Sequence, residues 1–173
     1  MSDILETIIT RRSVKSFKDC EVNSEQIEKV LKAGMYAPSG KNLQSAIIIS
    51  ITNKKVRDML SSVLANFRGI ESDPFYGAPV VLAVLADRSV PTYVYDGSCV
   101  IENMLLEAHS LDIGACWIHH AKAVFETDAG KEILSSLNIK GDYEGIGFCV
   151  LGYPQVNPSG SIPRKSNYVF KIQ

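Results

Sequence analysis

The most continuous apolar run in this 173-residue chain, residues 78–86, is less than half as long as the roughly 20 residues a membrane-spanning helix needs. Net charge is also nearly absent, at −1. No global field would therefore draw the protein to nucleic acid or an anionic membrane, and any anion binding must be local. Asp3 and Glu6 stand where a signal peptide would need a basic and then an apolar segment, so a cytoplasmic protein is expected. Cys20, Cys99, Cys116 and Cys149 lack zinc or redox spacing, and read as buried free thiols in a reducing compartment.

Several chemistries are missing as well. Histidine occurs only at 109, 119 and 120, and no Gly-x-Ser-x-Gly elbow accompanies it. His109 falls within a helical pattern and reads as a satisfied helix residue. Chain neighbours do not share a face, so His119 and His120 make a poor chelate, and Cys116 with His119 has no second ligand pair. No metal site is expected. Gly145-Ile146-Gly147 begins a dinucleotide fingerprint, but its third glycine is misplaced and the stretch reads as strand. No Walker loop occurs, so P-loop and Rossmann folds are set aside.

What is present is ordinary globular composition, 46% hydrophobic and 21% charged, in a length that suits one domain over residues 1–173. Ile4, Leu5, Ile8 and Ile9 mark a short helix over 3–11. Asn23 is placed to cap a second helix, with Gln26 completing a capping box. Ile27, Val30, Leu31 and Met35 give that helix its buried face, and Pro38 ends it. Residues 45–52 read as a strand buried on both sides. Residues 54–67 read as a helix with Val56, Met59, Leu60 and Val63 inward, and 68–77 as a loop or lid. A second buried strand is expected over 78–86. The longest helix covers 94–112, with Ile101, Met104, Leu105, Ala108 and Leu111 on one face and Gly114 as its stop. Beyond it come a short strand over 115–119, a helix over 128–137, a third buried strand over 145–151, a turn at 152–154 and an extended loop over 155–165. Residues 168–172 alternate and read as a last strand. The order predicts an α+β or three-layer α/β domain.

Two stretches stand out for function. Arg11-Arg12-Ser13-Val14-Lys15 packs three fixed cations and a hydroxyl into five residues just after the first helix. Guanidinium groups offer forked donors that match two phosphate oxygens, and Lys adds a mobile point charge. Pro38-Ser39-Gly40-Lys41-Asn42-Leu43-Gln44 breaks the second helix and carries amides and a hydroxyl, with no acid or nucleophile pair. Such a loop suits binding, and the reactive chemistry must then come from a cofactor.

In these stretches the chain resembles the FMN-dependent nitroreductases, whose N-terminal helix runs into Arg-Arg-Ser-x-Arg/Lys and is followed by Ala-Pro-Ser-x-x-Asn-x-Gln. The resemblance extends over nearly the whole chain. It implies a nitroreductase-like three-layer α-β-α sandwich with a mostly antiparallel central sheet, forming an intertwined homodimer whose last strand joins the partner's sheet. It implies bound FMN, with Arg11, Arg12, Ser13 and Lys15 on the phosphate, ribityl and pyrimidine groups, and Pro38, Ser39 and Asn42 reaching the same flavin from the other subunit. Cys116-Trp117-Ile118-His119 resembles the family's segment beside the flavin, which assigns Ile118 and His119 to the cofactor. Gly152-Tyr153-Pro154 followed by Arg164 and Lys165 resembles the closing motif that returns a basic residue to the phosphate.

The activity implied is transfer of hydride from NADH or NADPH through FMN to a nitroaromatic, quinone or similar flat acceptor, in ping-pong order and without a catalytic side chain. A flavin-binding or sensing protein with little turnover, and a flavin-consuming or dehalogenating relative, are the alternatives. The chain departs from the family in carrying Ser45 where many members have Pro, and residues 68–77 lack a clear match to the Asn and Lys of larger members. It also lacks their long helical excursion over the pocket.

Overall fold

Two aliphatic runs make the centre of the sheet. In the computed structural model, which describes residues 4–156, 158, 160 and 163–173, they form β2 (Val80–Asp87) and β4 (Tyr143–Gly152), paired antiparallel. β1 (Ala46–Ile51) flanks β2 and β3 (Gly114–Ile118) flanks β4, giving an antiparallel sheet ordered β1-β2-β4-β3. Successive strand side chains point to opposite faces. Val81, Ala83 and Leu85 therefore join one core, and Val80, Leu82, Val84 and Ala86 the other. α3 (Lys54–Arg68) and α5 (Ala121–Phe125) cover the first face; α2 (Ser24–Met35) and α4 (Tyr93–Ser110) cover the second. α1 (Ile4–Thr10) and α6 (Asp128–Ser136) complete the helices. This is the expected three-layer arrangement, and no helix of the described residues is long and apolar enough to cross a membrane.

The Gly-x-Gly of β4 is a packing device. A Cβ on Gly145 would lie 2.4 Å from the Ala121 carbonyl carbon, and one on Gly147 would lie 2.4 Å from Trp117 Nε1. The register against β2 shifts between Val84 and Leu85, whose partners are Gly147 and Gly145, so Ile146 is bulged out between them. That bulge sends Ile146 to the α4 face.

Some expectations fail for identifiable reasons. β1 is an edge strand, so it is not buried on both sides: Ile49 and Ile51 are covered while Ser50 is exposed. The capping box does not form. Asn23 accepts from the Glu25 amide at 2.8 Å, but the Gln26 side chain instead donates to the Leu111 carbonyl and accepts from the Tyr153 hydroxyl. Met35 is exposed, because α2 ends there and turns its last residue off the core. α4 stops at Ser110 with Asp112 supplying the left-handed turn at φ 58°, while Gly114 opens β3 against Val14. α5 was not expected; five residues are too few to show a period. Cys20 is exposed and Cys99 half-buried, so only Cys116 and Cys149 fit the buried-thiol expectation.

The ends of the chain differ most. The apolar stripe of α1 faces outward, with Ile4 76% and Ile9 53% exposed. Residues 168–172 form no strand, and Phe170 and Ile172 are 83% and 102% exposed. An alternating segment becomes a strand only where a ladder partner receives it, and on this sheet the outer side of β3 is met by Ser13, which bridges Ala115.

Phe148 joins the rings of this core, edge-on to Phe75 at 5.1 Å and tilted to Phe125 at 6.1 Å. Phe148→Ala should therefore reduce the unfolding free energy by about 3–5 kcal/mol in a urea titration. A loss below about 1 kcal/mol would contradict this packing.

Candidate binding site

The basic stretch is extended, pinned by isolated bridges of Ser13 to Ala115 and of Phe17 to Pro154. Val14 and Phe17 are buried, while Ser13 and Lys15 are exposed. The Val14 amide donates to the Ala115 carbonyl at 3.0 Å. Farther along, Phe17 bridges Pro154 and the Lys18 amide donates to the Tyr153 carbonyl at 2.9 Å, so the 152–154 turn is zipped to the strip.

Arg11, Arg12, Lys18, His109 and Tyr153 line a cleft of about 630 Å³. The ion pairs among the described residues use Lys54, Arg57, Arg88 and Lys122, and none uses Arg11, Arg12 or Lys15. Part of Arg12 is nevertheless committed: Nε donates to the Gly160 carbonyl at 2.7 Å, and Nη1 to the carbonyls of Ile9 and Arg11 at 2.8 Å. The Thr10 hydroxyl donates to the Glu6 carbonyl, which leaves its lone pairs to receive His109 Nε2–H across 2.8 Å. Burial, and next the charge of Arg11, hold the His109 pKa below its ordinary value, so this imidazole is neutral at pH 7.

Beside the strip, burial pushes the Cys116 thiol up despite a hydrogen bond with Ser13 and the charges of Lys15 and Arg11. Burial and the neighbouring Cys116 raise Cys149 further. Both are inert thiols at neutral pH.

The amide loop is built differently. Gly40–Asn42 form a single 3-10 turn, and Lys41, Asn42 and Gln44 adopt left-handed φ of 51°, 55° and 49°. Outside glycine such conformations cost of order 1 kcal/mol each, least for Asn. Asp96, in the first turn of α4 and only 3% exposed, offsets them. Its Oδ1 accepts the Gly40 amide at 3.0 Å, and its Oδ2 accepts the hydroxyls of Ser45 at 2.7 Å and Thr92 at 3.1 Å. Hydrogen bonds to a charged group contribute about 1.5–3 kcal/mol each. Burial alone would raise the Asp96 pKa, but Ser45, Gly40 and Thr92 together bring it below the ordinary carboxylate value. Ser45, the departure noted in the sequence, is thus one arm of this network.

The 68–77 segment has the same design. Asp73 takes hydrogen bonds from Ser61 Oγ at 2.6 Å and from the amides of Phe75 and Gly77 at 2.9 and 2.7 Å, and pairs with the buried Arg57. Burial would raise its pKa, but Arg57 and then these donors hold it low. The segment brings the Tyr76 ring within 6.0 Å of Lys15 Nζ.

At the end of β3, Ile118 is buried and His119 exposed. His120 follows at φ 71°, its ring 4.4 Å from that of His119 and 5.4 Å from that of Phe67. Burial, then the charges of His119 and Arg68, depress the His120 pKa. These rings border a separate cavity with Lys122 and Glu144. Arg164 and Lys165 are exposed; Lys165 Nζ lies 5.4 Å over the Tyr168 ring, and neither residue lines the Arg11 cleft. The tail returns to that cleft through Pro158 and Gly160 instead.

Arg11 and Arg12 thus line the cleft beside the start of β3, Ser13 bridges β3 at Ala115 with Lys15 two residues on, and Ile118 and His119 lie at the far end of that strand. Pro38 and Ser39 line a different cavity of about 490 Å³ beside β1, with Asn42 exposed on the same loop. No cluster of three or more His, Cys, Asp or Glu side chains among the described residues could hold a metal ion. The residues missed by sequence reasoning are Asp96 and Asp73. Asp73 precedes Pro74 in a turn-rich stretch and could have been found as a turn-forming acid; nothing local marks Asp96.

Residues 8–155 match the profile of the nitroreductase family. A protein of Archaeoglobus fulgidus, named a candidate NADH dehydrogenase/NAD(P)H nitroreductase, is 37% identical over 68% of this chain and 68% of its own length. One of the same name from Methanothermobacter thermautotrophicus is 32% identical over 90% of this chain and 80% of its own. The crystal structure of a nitroreductase with bound FMN from Bacteroides fragilis covers 100% of both chains with a TM-score of 0.87 at 24% identity, which establishes the shared fold.

Because Asp73 and Asp96 titrate lower in the folded chain than in the unfolded one, their stabilisation is complete above the ordinary Asp value near pH 3.9 and disappears as pH falls through the depressed values. Unfolding free energies of wild type and Asp96→Asn should therefore differ most at pH 5–7 and converge toward pH 2. A difference independent of pH would contradict the assignment.

Proposed function

Because the chain belongs to the nitroreductase family, we propose that it is an NAD(P)H-dependent oxidoreductase carrying FMN, which reduces a nitroaromatic, quinone or similar flat acceptor in ping-pong order. The observation that carries the reading is the strip of Arg11, Arg12 and Lys15, cations without a carboxylate partner among the described residues, beside the hydroxyl of Ser13. Half-buried and exposed cations gathered without a counter-charge favour an anionic ligand, and the phosphate of FMN is one. The donor set fits the rest of the molecule too: the pyrimidine edge of a flavin offers alternating donors and acceptors, which amides match in a plane.

In this proposal Arg11, the uncommitted nitrogen of Arg12, and Ser13 hold the phosphate and ribityl chain. Lys15 stands beside the pyrimidine, where a cation stabilises negative charge that builds on reduction. Ile118 and His119 supply backbone and apolar surface along the β3 edge, and Arg164 and Lys165 close the phosphate side. Bound FMN supplies the chemistry, accepting hydride from NADH or NADPH and yielding electrons to the second substrate. No side-chain acid or base is required, in keeping with the neutral His109 and the two loop-anchoring aspartates.

Pro38, Ser39 and Asn42 come from the partner in a homodimer. Neighbouring strands lie about 4.8 Å apart, and the order β1-β2-β4-β3 keeps this loop and the basic strip at opposite edges of one chain's sheet. The exposed stripe of α1 and the exposed tail around Phe170 give a second copy apolar surface to cover. A reducing compartment such as the cytoplasm suits the four free cysteines.

Mixed anaerobically with NADH and with NADPH in a stopped-flow instrument, the yellow protein should bleach with at least one of them, and a quinone should then restore the colour. Failure of both nucleotides would overturn the reductase reading in favour of a flavin-binding protein. Arg11→Ala should weaken FMN binding about tenfold to a hundredfold, the range of a lost charge-assisted hydrogen bond. An unchanged Kd would remove Arg11 from the site.

A further inference from the structure

We propose that Asp96 is a positioning residue for the flavin, acting through the amide loop rather than by touching the ligand. The proposal rests on the FMN reading above and adds to it what holds half of the site in shape. The two oxygens of Asp96 reach the two ends of one short segment: Oδ1 takes the Gly40 amide where the 3-10 turn begins, and Oδ2 takes the Ser45 hydroxyl where the loop enters β1. Ser45 is itself fixed to the sheet, since its carbonyl accepts the Asp87 amide at 2.9 Å.

Between these anchors lie Lys41, Asn42 and Gln44, the left-handed residues. The other hydrogen bonds given by the loop's own amides stay within it: Asn42 N to Ser39 O at 3.0 Å, Leu43 N to Gly40 O at 3.0 Å, and Gln44 N to Ser39 Oγ at 3.1 Å. Such bonds shape the loop without attaching it to the sheet.

Thr92 makes the attachment close. Its hydroxyl completes the bonding of Oδ2, and a Cβ on Gly40 would come within 2.4 Å of Thr92 Oγ1, so the loop lies flush on the start of α4. No ion pair among the described residues involves Asp96; its charge is balanced by neutral donors and by its place in the first turn of a helix. A carboxylate bonded in this way fixes direction, because each donor has one place to go. Removing a donor or an oxygen frees the strained residues to relax toward ordinary backbone angles, and Ser39 and Asn42 then leave the positions proposed for flavin contact. Ordering the loop anew on binding would reduce affinity.

Amide hydrogen exchange on flavin-free protein and FMN titration by fluorescence quenching test this together, on wild type, Asp96→Asn, Thr92→Val and Thr92→Ser. Asp96→Asn and Thr92→Val should speed exchange at residues 40–44 at least tenfold, leave β2 and β4 unchanged, and raise the Kd for FMN about tenfold. Thr92→Ser keeps the hydroxyl and should match wild type in both. Should Asp96→Asn not fold, the two Thr92 variants decide the matter alone. Faster loop exchange with an unchanged Kd would overturn the proposal, as would unchanged exchange. Wild-type protein that binds no FMN would overturn the underlying reading and the proposal with it; loop exchange that still responds to the variants would mark that failure as one of ligand, not of anchoring.

Discussion

The order of the sheet separates the two parts of the candidate site. β1 and β3 are its edges, and the amide loop leads into the first while the basic strip runs along the second. Antiparallel pairing of β2 with β4 through the middle of both cores makes this separation rigid, since shifting either strand by one residue would exchange its core faces. On the proposed function, a ligand that needs both parts sits where two copies meet. On the same proposal, the outward apolar stripe of α1 and the exposed apolar tail are surfaces for a second copy to cover.

Within the chain, two acids hold the loops in place. Asp96 gathers Gly40, Ser45 and Thr92; Asp73 gathers Ser61, Phe75, Gly77 and Arg57. Each ties an irregular segment, with its left-handed residues, to the regular structure behind it. A binding site on loops needs such anchoring, because loops otherwise relax at little cost and lose the geometry a ligand requires. The basic strip is held by backbone bonds instead, one to Ala115 of β3 and others to the 153–155 turn.

Much of the fold was legible because it obeys simple periods. The buried runs of β2 and β4 and the one-sided patterns of α2, α3 and α4 are local properties, found within a few residues of their expected bounds. The basic strip was legible as a cluster of charge. Asp96 was not: it is one acid near a helix start, and its importance comes from three donors that chain order places up to 56 residues away. Gln26 misled for the same reason, since a distant carbonyl and a tyrosine hydroxyl outcompete the local capping bond. α5 was too short to show a period, and residues 168–172 carry a strand's alternation without a strand's partner.

Native mass spectrometry of the purified protein tests the central claim most directly. The account predicts a two-copy assembly carrying two FMN molecules, which are lost together with pairing when the copies are separated. A single chain that retains FMN, or a pair that takes up none when offered an excess, would contradict it.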